Sequence, residues 1–329
     1  MWMPEFWRHD GAAARLLTPA AWLYDAGRRL VRLTVTPRQV ERPVVCVGNL
    51  VAGGAGKTPT ALAVAKLLLA QGRRPHFISR GYGGRMPGPL RVDAERHDAR
   101  EVGDEALLLA LRAPTWVGRD RVSTARLAIE SGADCLVLDD GFQNPRLAKD
   151  LSLVVVDAGF GFGNGRLLPA GPLREPIRTG LARADAVVLI EAPLAPLEAV
   201  PAELALPRDK PLLLARLAPV PPANRLVGAR AVAFAGIARP EKFFETLTAL
   251  GVEVLEAHRF ADHHQFDAAE IMHLVEGAAA KGARLLTTAK DHVRLPAEAR
   301  AMVEVLEVEL EFKHPELIGQ LLQRLFADA

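Results

Sequence analysis

Val44-Val45-Cys46-Val47-Gly48-Asn49-Leu50-Val51-Ala52-Gly53-Gly54-Ala55-Gly56-Lys57-Thr58-Pro59 is the stretch whose reading decides the fold class. A β-branched apolar run enters a glycine-rich turn, the turn ends in Gly-Lys-Thr, and an Ala- and Leu-rich segment follows. That is the strand–loop–helix order of a phosphate-binding loop. Glycines let successive backbone N–H groups converge on phosphate oxygens, and a helix N-terminus adds positive potential. Lys57 supplies a point charge for β- and γ-phosphates, and the Thr58 hydroxyl is a candidate Mg²⁺ ligand. Gly53, Gly54, Ala55, Gly56 and Pro59 complete the expected nucleotide-binding set. The common G-x4-G-K-[ST] spacing would place glycine at 51, where this chain has Val51; the turn then falls to Gly53 and Gly54.

Outward from this loop, short β-branched runs alternate with helical stretches. Strands are expected at 43–48, 75–79, 134–139, 151–157 and 185–190, and helices at 57–71, 103–112 and 120–131. The strands are continuously apolar, which implies a parallel sheet covered on both faces, with ligands beyond the carboxyl ends of its strands. A proline-rich stretch, 191–224, marks the best candidate boundary. A second α/β pattern follows: strand 230–235, helix 240–250, strand 252–257, helix 267–281, strand 284–288, strand 303–310 and helix 315–327. Segments 212–217 and 303–310 are expected to pair as a ribbon between domains 1–215 and 216–329. The expected fold is an α/β/α sandwich carrying a phosphate loop, with a second, smaller α/β domain.

Composition agrees with a globular chain. Of 329 residues, 50% are hydrophobic and 24% charged, enough apolar material for a large core and against wholesale disorder. The 41 basic residues against 39 acidic ones leave a net charge of +2, too little for a protein that coats nucleic acid. Cys46 and Cys135 sit in apolar runs and suit buried thiols in a reducing compartment. No apolar run reaches the ~18 residues of a membrane span, and no signal-peptide pattern opens the chain.

Other chemistry lies at the expected strand ends. Leu136-Val137-Leu138-Asp139-Asp140-Gly141 is an apolar strand ending in two carboxylates, the place from which phosphate-loop proteins hold Mg²⁺. A lone aspartate there would be a turn former; paired with the loop, Asp139 and Asp140 become metal candidates. Asp104, in Val102-Gly103-Asp104-Glu105, would by itself be an N-cap, with Glu105 complementing the helix dipole. Phe260-Ala261-Asp262-His263-His264-Gln265-Phe266 holds paired histidines. Zinc sites need three or four spaced ligands, so a base or relay role is favoured over a solvated cap. Arg166 and Arg174, in a long loop rich in proline and glycine, can meet phosphates bidentately. Ser79-Arg80-Gly81-Tyr82-Gly83-Gly84 is a similar turn with one cation and one aromatic. Thr287-Thr288-Ala289-Lys290-Asp291 is close to the [NT]-K-x-D guanine reader of GTPases, but Lys290 and Asp291 are adjacent, which weakens a GTPase reading.

The first 42 residues hold seven arginines against Glu5, Asp10, Asp25 and Glu41, together with Trp2, Trp7 and Trp22. Helices are expected near 4–10 and 19–32. Tryptophan and arginine beside an apolar face suit a membrane–water interface; packing on the protein's own core is the equal alternative at this point.

The segments VGNLVAGGAGKTP (47–59), SRGYGG (79–84), VGDEALLLA (102–110), LVLDDGFQ (136–143), GNGRLLPAGPLREP (163–176), FADHHQF (260–266) and TTAKDHVRL (287–295), in this order, resemble one family: the tetraacyldisaccharide 4′-kinases of lipid A biosynthesis. The resemblance spans nearly the whole chain, and DDGFQ with LLPAGPLREP is its most specific part. It implies transfer of the ATP γ-phosphate, with Mg²⁺, to the 4′-hydroxyl of a tetraacyl glucosamine disaccharide 1-phosphate, giving lipid IVA. It also implies two α/β/α domains joined by a two-stranded linker, with the active site between them. The enzyme would sit peripherally on the cytoplasmic face of the bacterial inner membrane, Trp2, Trp7 and Trp22 at the bilayer. Asp104 would be the catalytic base and His263 its partner, with no role for His264. Arg174 and Glu175 would serve the nucleotide, and Arg80, Tyr82, Arg119, Gln143 and Arg166 the acceptor. No nucleic acid or obligatory protein partner is expected. The competing readings are a membrane-associated NTPase switch, a phosphate-loop ATP-dependent ligase, for which a carboxylate would be phosphorylated, and a non-catalytic nucleotide sensor.

Overall fold

A computed structural model of the chain describes residues 4–191, 204, 206–207, 209–221 and 223–327. Trp2 and Pro193, Pro196, Pro201 and Pro222 of the proline-rich stretch lie outside the described residues. In chain order the helices are α1 (Ala12–Leu16), α2 (Thr18–Thr34), α3 (Lys57–Ala70), α4 (Ala99–Val102), α5 (Asp104–Ala110), α6 (Arg121–Glu130), α7 (Ile177–Ala182), α8 (Pro240–Ala249), α9 (Ala268–Ala280), α10 (Ala289–His292), α11 (Ala297–Arg300) and α12 (Pro315–Arg324). The strands are β1 (Val44–Gly48), β2 (Pro75–Ser79), β3 (Leu90–Arg91), β4 (Thr115–Val117), β5 (Cys135–Asp139), β6 (Leu151–Asp157), β7 (Ala186–Ile190), β8 (Leu212–Pro219), β9 (Arg230–Ala235), β10 (Glu253–Arg259), β11 (Arg284–Thr288), β12 (Glu304–Leu306) and β13 (Val308–Phe312).

Among the described residues, nine strands form one sheet in the order β13-β8-β7-β6-β1-β5-β2-β4-β3. β1 lies at its centre, parallel to β5 and β6, with Cys46 opposite Leu138 and Ser152. Only β3 on β4 and β13 on β8 run antiparallel. Alternate residues of each central strand feed opposite cores. Val44, Cys46, Leu136, Leu138, Val154 and Val156 face α6 and α7. Val45, Val47, Cys135, Val137, Leu153 and Val155 face α3, α5 and α12. A strand buried on both faces has no polar side, hence the unbroken apolar runs. Both thiols are buried, and burial pushes Cys46 up to about 12.

Four parallel strands make a second sheet, β10-β9-β11-β12, with its own cores on α8 and α9. The expected strand 303–310 breaks in two. Glu304–Leu306 joins the small sheet, and Val308–Phe312 pairs antiparallel with β8, Leu310 opposite Leu217. The ribbon expected between the domains is therefore an edge of the large sheet rather than a free-standing linker, because β8 also pairs in parallel with β7. Residue 215 falls inside β8, and the chain returns to the large sheet from 308 onward. α12 then lays Ile318 and Leu322, both fully buried, into the core beside α3.

The expected helix at 4–10 is a single 3₁₀ turn, Glu5–Trp7, and α2 begins one residue earlier and ends two residues later than expected. Leu16, Trp22, Leu23, Leu30, Val31 and Leu33 of α1 and α2 are all exposed. Among the described residues no helix is long and apolar enough to cross a membrane.

The return of the C-terminal helix is testable. Leu322→Ala should cost about 2–5 kcal/mol in urea unfolding, the range for emptying a closed apolar site. A cost below about 1 kcal/mol would show that α12 does not belong to the large core.

Candidate active site

The glycine-rich loop leaves β1 and enters α3 at the carboxyl edge of the large sheet. Gly56 sits at φ +86°, and a Cβ there would lie 2.4 Å from Ile190 Cδ1. Only glycine turns this corner without strain, and the turn places Lys57 at the first position of α3. Lys57 Nζ is 3.4 Å from Gly53 O and 3.8 Å from Asp140 Oδ2. Thr58 Oγ1 donates to Asp139 Oδ2 at 2.8 Å.

The two strand-end aspartates differ. Asp139 is buried, and its Oδ1 has no hydrogen-bond partner among the described residues. Burial first, then the charges of Glu105 and Asp140, push its carboxyl up to about 7. An anion starved of counter-charge beside a loop threonine fits a hard divalent cation that takes few protein ligands. Asp140 sits in the left-handed region at φ +54°. It is already matched, with Arg174 Nη1 donating to its Oδ1 at 2.7 Å and Lys57 beyond. Burial raises its pKa, but Lys57 and Arg174 more than reverse this and hold it below the usual carboxylate range.

Asp104 opens α5 because Gly103 precedes it at φ +89°, where a Cβ would meet Tyr82 O at 2.5 Å. Its Oδ1 accepts from the Glu105 amide at 2.8 Å. Its Oδ2 lies 2.9 Å from His263 Nδ1, 3.4 Å from Arg294 Nε and 4.0 Å from Lys290 Nζ. These three partners come from beyond the second sheet, so the pair spans the cleft between the two sheets. Burial is the largest single influence and raises the Asp104 pKa. The His263 hydrogen bond and the charges of Lys290, His263 and Arg294 outweigh it and bring the carboxyl down to about 2. His263 itself sits at φ +60°, a conformation that costs a non-glycine residue of order 1 kcal/mol or more and persists where the surroundings enforce it. The influence of Glu105 on Asp139 links this pair to the phosphate loop.

The other residues singled out in the sequence divide. Tyr82 packs its ring 5.3 Å from that of His263. Arg80 and Arg119 are exposed at the ends of β2 and β4. Gln143 donates to Asn49 O and Glu175 Oε1 and accepts from Arg174, so it braces the nucleotide side. Glu175 is almost wholly buried, with Arg183 at 2.5 Å and Arg28 and Arg32 near 4 Å. Arg166 spends its guanidinium on Asp10 and Thr18, pinning the N-terminal helices, and is not gathered at the cleft. Trp7 is half-buried and its indole N–H donates to Pro169 O, so it docks on the chain's own loop, while Trp22 stays exposed. His264 pairs with Glu270 at 2.8 Å and stacks on Phe260.

Sequence reasoning missed the cations around Asp157. Arg239 and Lys242, at the start of α8, reach its carboxylate at 2.7 and 2.6 Å. The segment that carries them meets the phosphate loop, since a Cβ on Gly54 would lie 3.4 Å from Ala238. A strand-end aspartate in Val156-Asp157-Ala158 was the available signal.

A buried lysine at a glycine loop, a carboxylate beside the loop threonine and a carboxylate–histidine pair between the two sheets are the apparatus of an ATP-using phosphotransferase. The comparisons narrow this class. The model of the Tetraacyldisaccharide-1-P 4'-kinase family matches residues 13–326, and the chain belongs to that family. A tetraacyldisaccharide 4'-kinase of Paramagnetospirillum magneticum is 53% identical over 98% of both chains. One from Rhodospirillum rubrum is 54% identical over 98% of this chain and 97% of its own. The crystal structure of the Aquifex aeolicus LpxK in complex with ATP superposes with a TM-score of 0.77 at 28% identity, covering 95% of this chain and 99% of that one. The chain is thus a lipid A kinase.

The low Asp104 pKa carries a signed consequence for stability. Its folded value is below the ordinary 3.8, so the ionised carboxyl stabilises the fold above that pH, and the gain is lost as pH falls through about 2. Between pH 5 and pH 3 the wild type should lose about 1 kcal/mol more than Asp104→Asn in urea unfolding. Parallel curves would show that the carboxyl is not held low.

Proposed function

We propose that the cleft transfers the γ-phosphoryl group of ATP to the 4′-hydroxyl of a tetraacyl glucosamine disaccharide 1-phosphate, with the Asp104–His263 pair taking the hydroxyl proton. The observation that carries this reading is the 2.9 Å contact between Asp104 and His263, made across the cleft beside the phosphate loop. In a loose phosphoryl transfer the acceptor hydroxyl needs alignment and a proton acceptor in reach, not prior ionisation. A carboxylate near 2 is a weak base by itself, so the proton's resting place is the pair. The 2.9 Å contact to an ionised carboxylate makes His263 Nδ1–H the donor to Asp104 Oδ2, so the imidazole orients the carboxylate and shares the charge change as the hydroxyl proton arrives.

On the donor side the loop amides and Lys57 hold the phosphates, and Arg174 adds a second cation. Thr58 and Asp139 would hold Mg²⁺, which would supply positive charge to the transferring phosphates. Asp140 orients Lys57 and Arg174 rather than the metal. Closure of residues 220–307 over the large sheet brings His263 to Asp104 and excludes water from the donor.

The outward apolar side chains of α2, flanked by Arg15, Arg29 and Arg32, rest on the cytoplasmic face of the inner membrane, where the acyl chains of the acceptor lie. Beside them, between α2 and the Gln143–Pro145 turn, is a cavity of about 480 Å³ lined by Leu23, Tyr24, Arg28, Arg32 and Arg183. Cations beside apolar side chains suit a phosphorylated lipid headgroup.

Asp104→Ala should lose ~10²–10⁴-fold in kcat with little change in KM for ATP. His264→Ala should be far milder than His263→Ala. Turnover of a detergent-dispersed acceptor lipid with labelled ATP measures both, and near-normal kcat for Asp104→Ala removes it from proton transfer. Replacing Trp22, Leu23, Leu30 and Leu33 with serine should release the protein from anionic vesicles by ~10-fold or more in partition with an unchanged melting temperature. Unchanged vesicle binding overturns the interfacial reading.

A further inference from the structure

The segment Thr287–Leu295 has no place in nucleotide binding, yet it lies against the catalytic pair. Its α10 packs on α5, and Val293 joins the apolar cluster of Val102, Ala106 and Leu107. Lys290 Nζ lies 3.2 Å from Glu105 Oε1, 3.8 Å from Asp262 Oδ1 and 4.0 Å from Asp104 Oδ2. Two of these carboxylates are neighbours on α5 of the large sheet. The third precedes His263 on the other side of the cleft. We propose that Lys290 is the positioning residue of the transfer: its ammonium draws α5 and the His263 turn together and lets Asp104 and Glu105 remain ionised side by side.

Adjacent carboxylates in a half-buried site repel, and without a cation one of them keeps a proton. Burial alone would make Lys290 give up its proton more readily. Glu105, Asp104 and Asp262 together reverse this and hold the ammonium above its ordinary range. The cation is therefore permanent at working pH.

The same segment holds the strained turn behind it. Arg294 is fully buried and donates to His264 O at 3.1 Å, Gly236 O at 2.9 Å and Asp291 Oδ1 at 2.6 Å. Asp291 Oδ1 accepts from the Gly236 amide, and Gly236 O also accepts from the His263 amide. His263 at φ +60° is thus bracketed from below by Arg294 and Asp291 and from the side by Lys290. The charged or titratable groups facing Lys290 are Asp104 and Glu105 on α5, Asp262 and His263 on the turn, Asp291 on α10 and Arg294 beyond it. The carboxylates outnumber the other fixed cation, so loss of the lysine leaves a net negative site.

The inference rests on the assignment of Asp104 and His263 to proton transfer. Asp104→Ala is therefore assayed beside the lysine variants, so that the two failures can be told apart. Lys290→Gln should lower kcat ~30-fold, leave KM for ATP within about twofold, and move the acid limb of the kcat–pH profile upward by about one unit, because a lost cation makes the pair easier to protonate. Lys290→Arg should restore kcat to within about fivefold and return the acid limb to its wild-type position. If Lys290→Gln does not fold, Lys290→Arg decides: a ~30-fold loss with the charge retained overturns the proposal. An unmoved acid limb in Lys290→Gln, or a rise in KM for ATP that accounts for the loss, also overturns it. Normal turnover in Asp104→Ala would instead overturn the proton-transfer reading on which it is built.

Discussion

Asp104 is a carboxylate buried to the point where burial alone would neutralise it. It stays ionised because His263, Lys290 and Arg294 surround it. A buried anion without such partners takes up a proton instead of paying the cost of desolvation. All three partners belong to the segments around the small sheet, so the charge balance of this buried carboxylate on the large-sheet side is completed from the small-sheet side.

The donor side solves the opposite problem. Asp140 has Arg174 and Lys57 as ion-pair partners, whereas Asp139 has only the Thr58 hydroxyl on one oxygen and the more distant charge of Lys57 among the described residues. The two neighbours on one strand end thereby acquire different chemistry. Asp139 is buried like every other residue of β5, and the left-handed turn at Asp140 swings the next side chain toward Arg174 and Lys57. A poorly matched buried anion is costly, and burial accordingly pushes the Asp139 carboxyl up to about 7. Asp157 gathers Arg239 and Lys242, so the small sheet is also held beside the glycine-rich loop.

The N-terminal helices are tied to the same body by polar contacts. Arg166 clamps Asp10 and Thr18, Trp7 donates to Pro169 O, and Tyr24 donates to Arg174 O. The last contact connects α2 to the loop that supplies the arginine beside Asp140. The exposed apolar side chains of α2 therefore sit on an element that is fixed with respect to the phosphate loop, which suits an enzyme whose acceptor is a lipid.

What the sequence determined by itself was local. Unbroken β-branched runs and the glycine turn before Lys57 and Thr58 are set by short-range sterics and hydrogen bonding, and apart from 4–10 and 303–310 the expected strands and helices lie where those signals put them to within a few residues. His263, Lys57 and Asp139 also stood out from their neighbours in sequence, whereas Asp104 by itself read as an N-cap and was marked as a site residue only by the family resemblance. The tertiary structure alone decided which of them meet. Asp104 and His263 are 159 residues apart, and no local pattern encodes that pairing. It also divided Asp139 from Asp140, turned Arg166 and Trp7 inward to hold the N-terminus, and split 303–310 between two sheets. Propensity acts within a turn or two of the chain, whereas charge matching and burial act through space, and these brought together the side chains in the cleft.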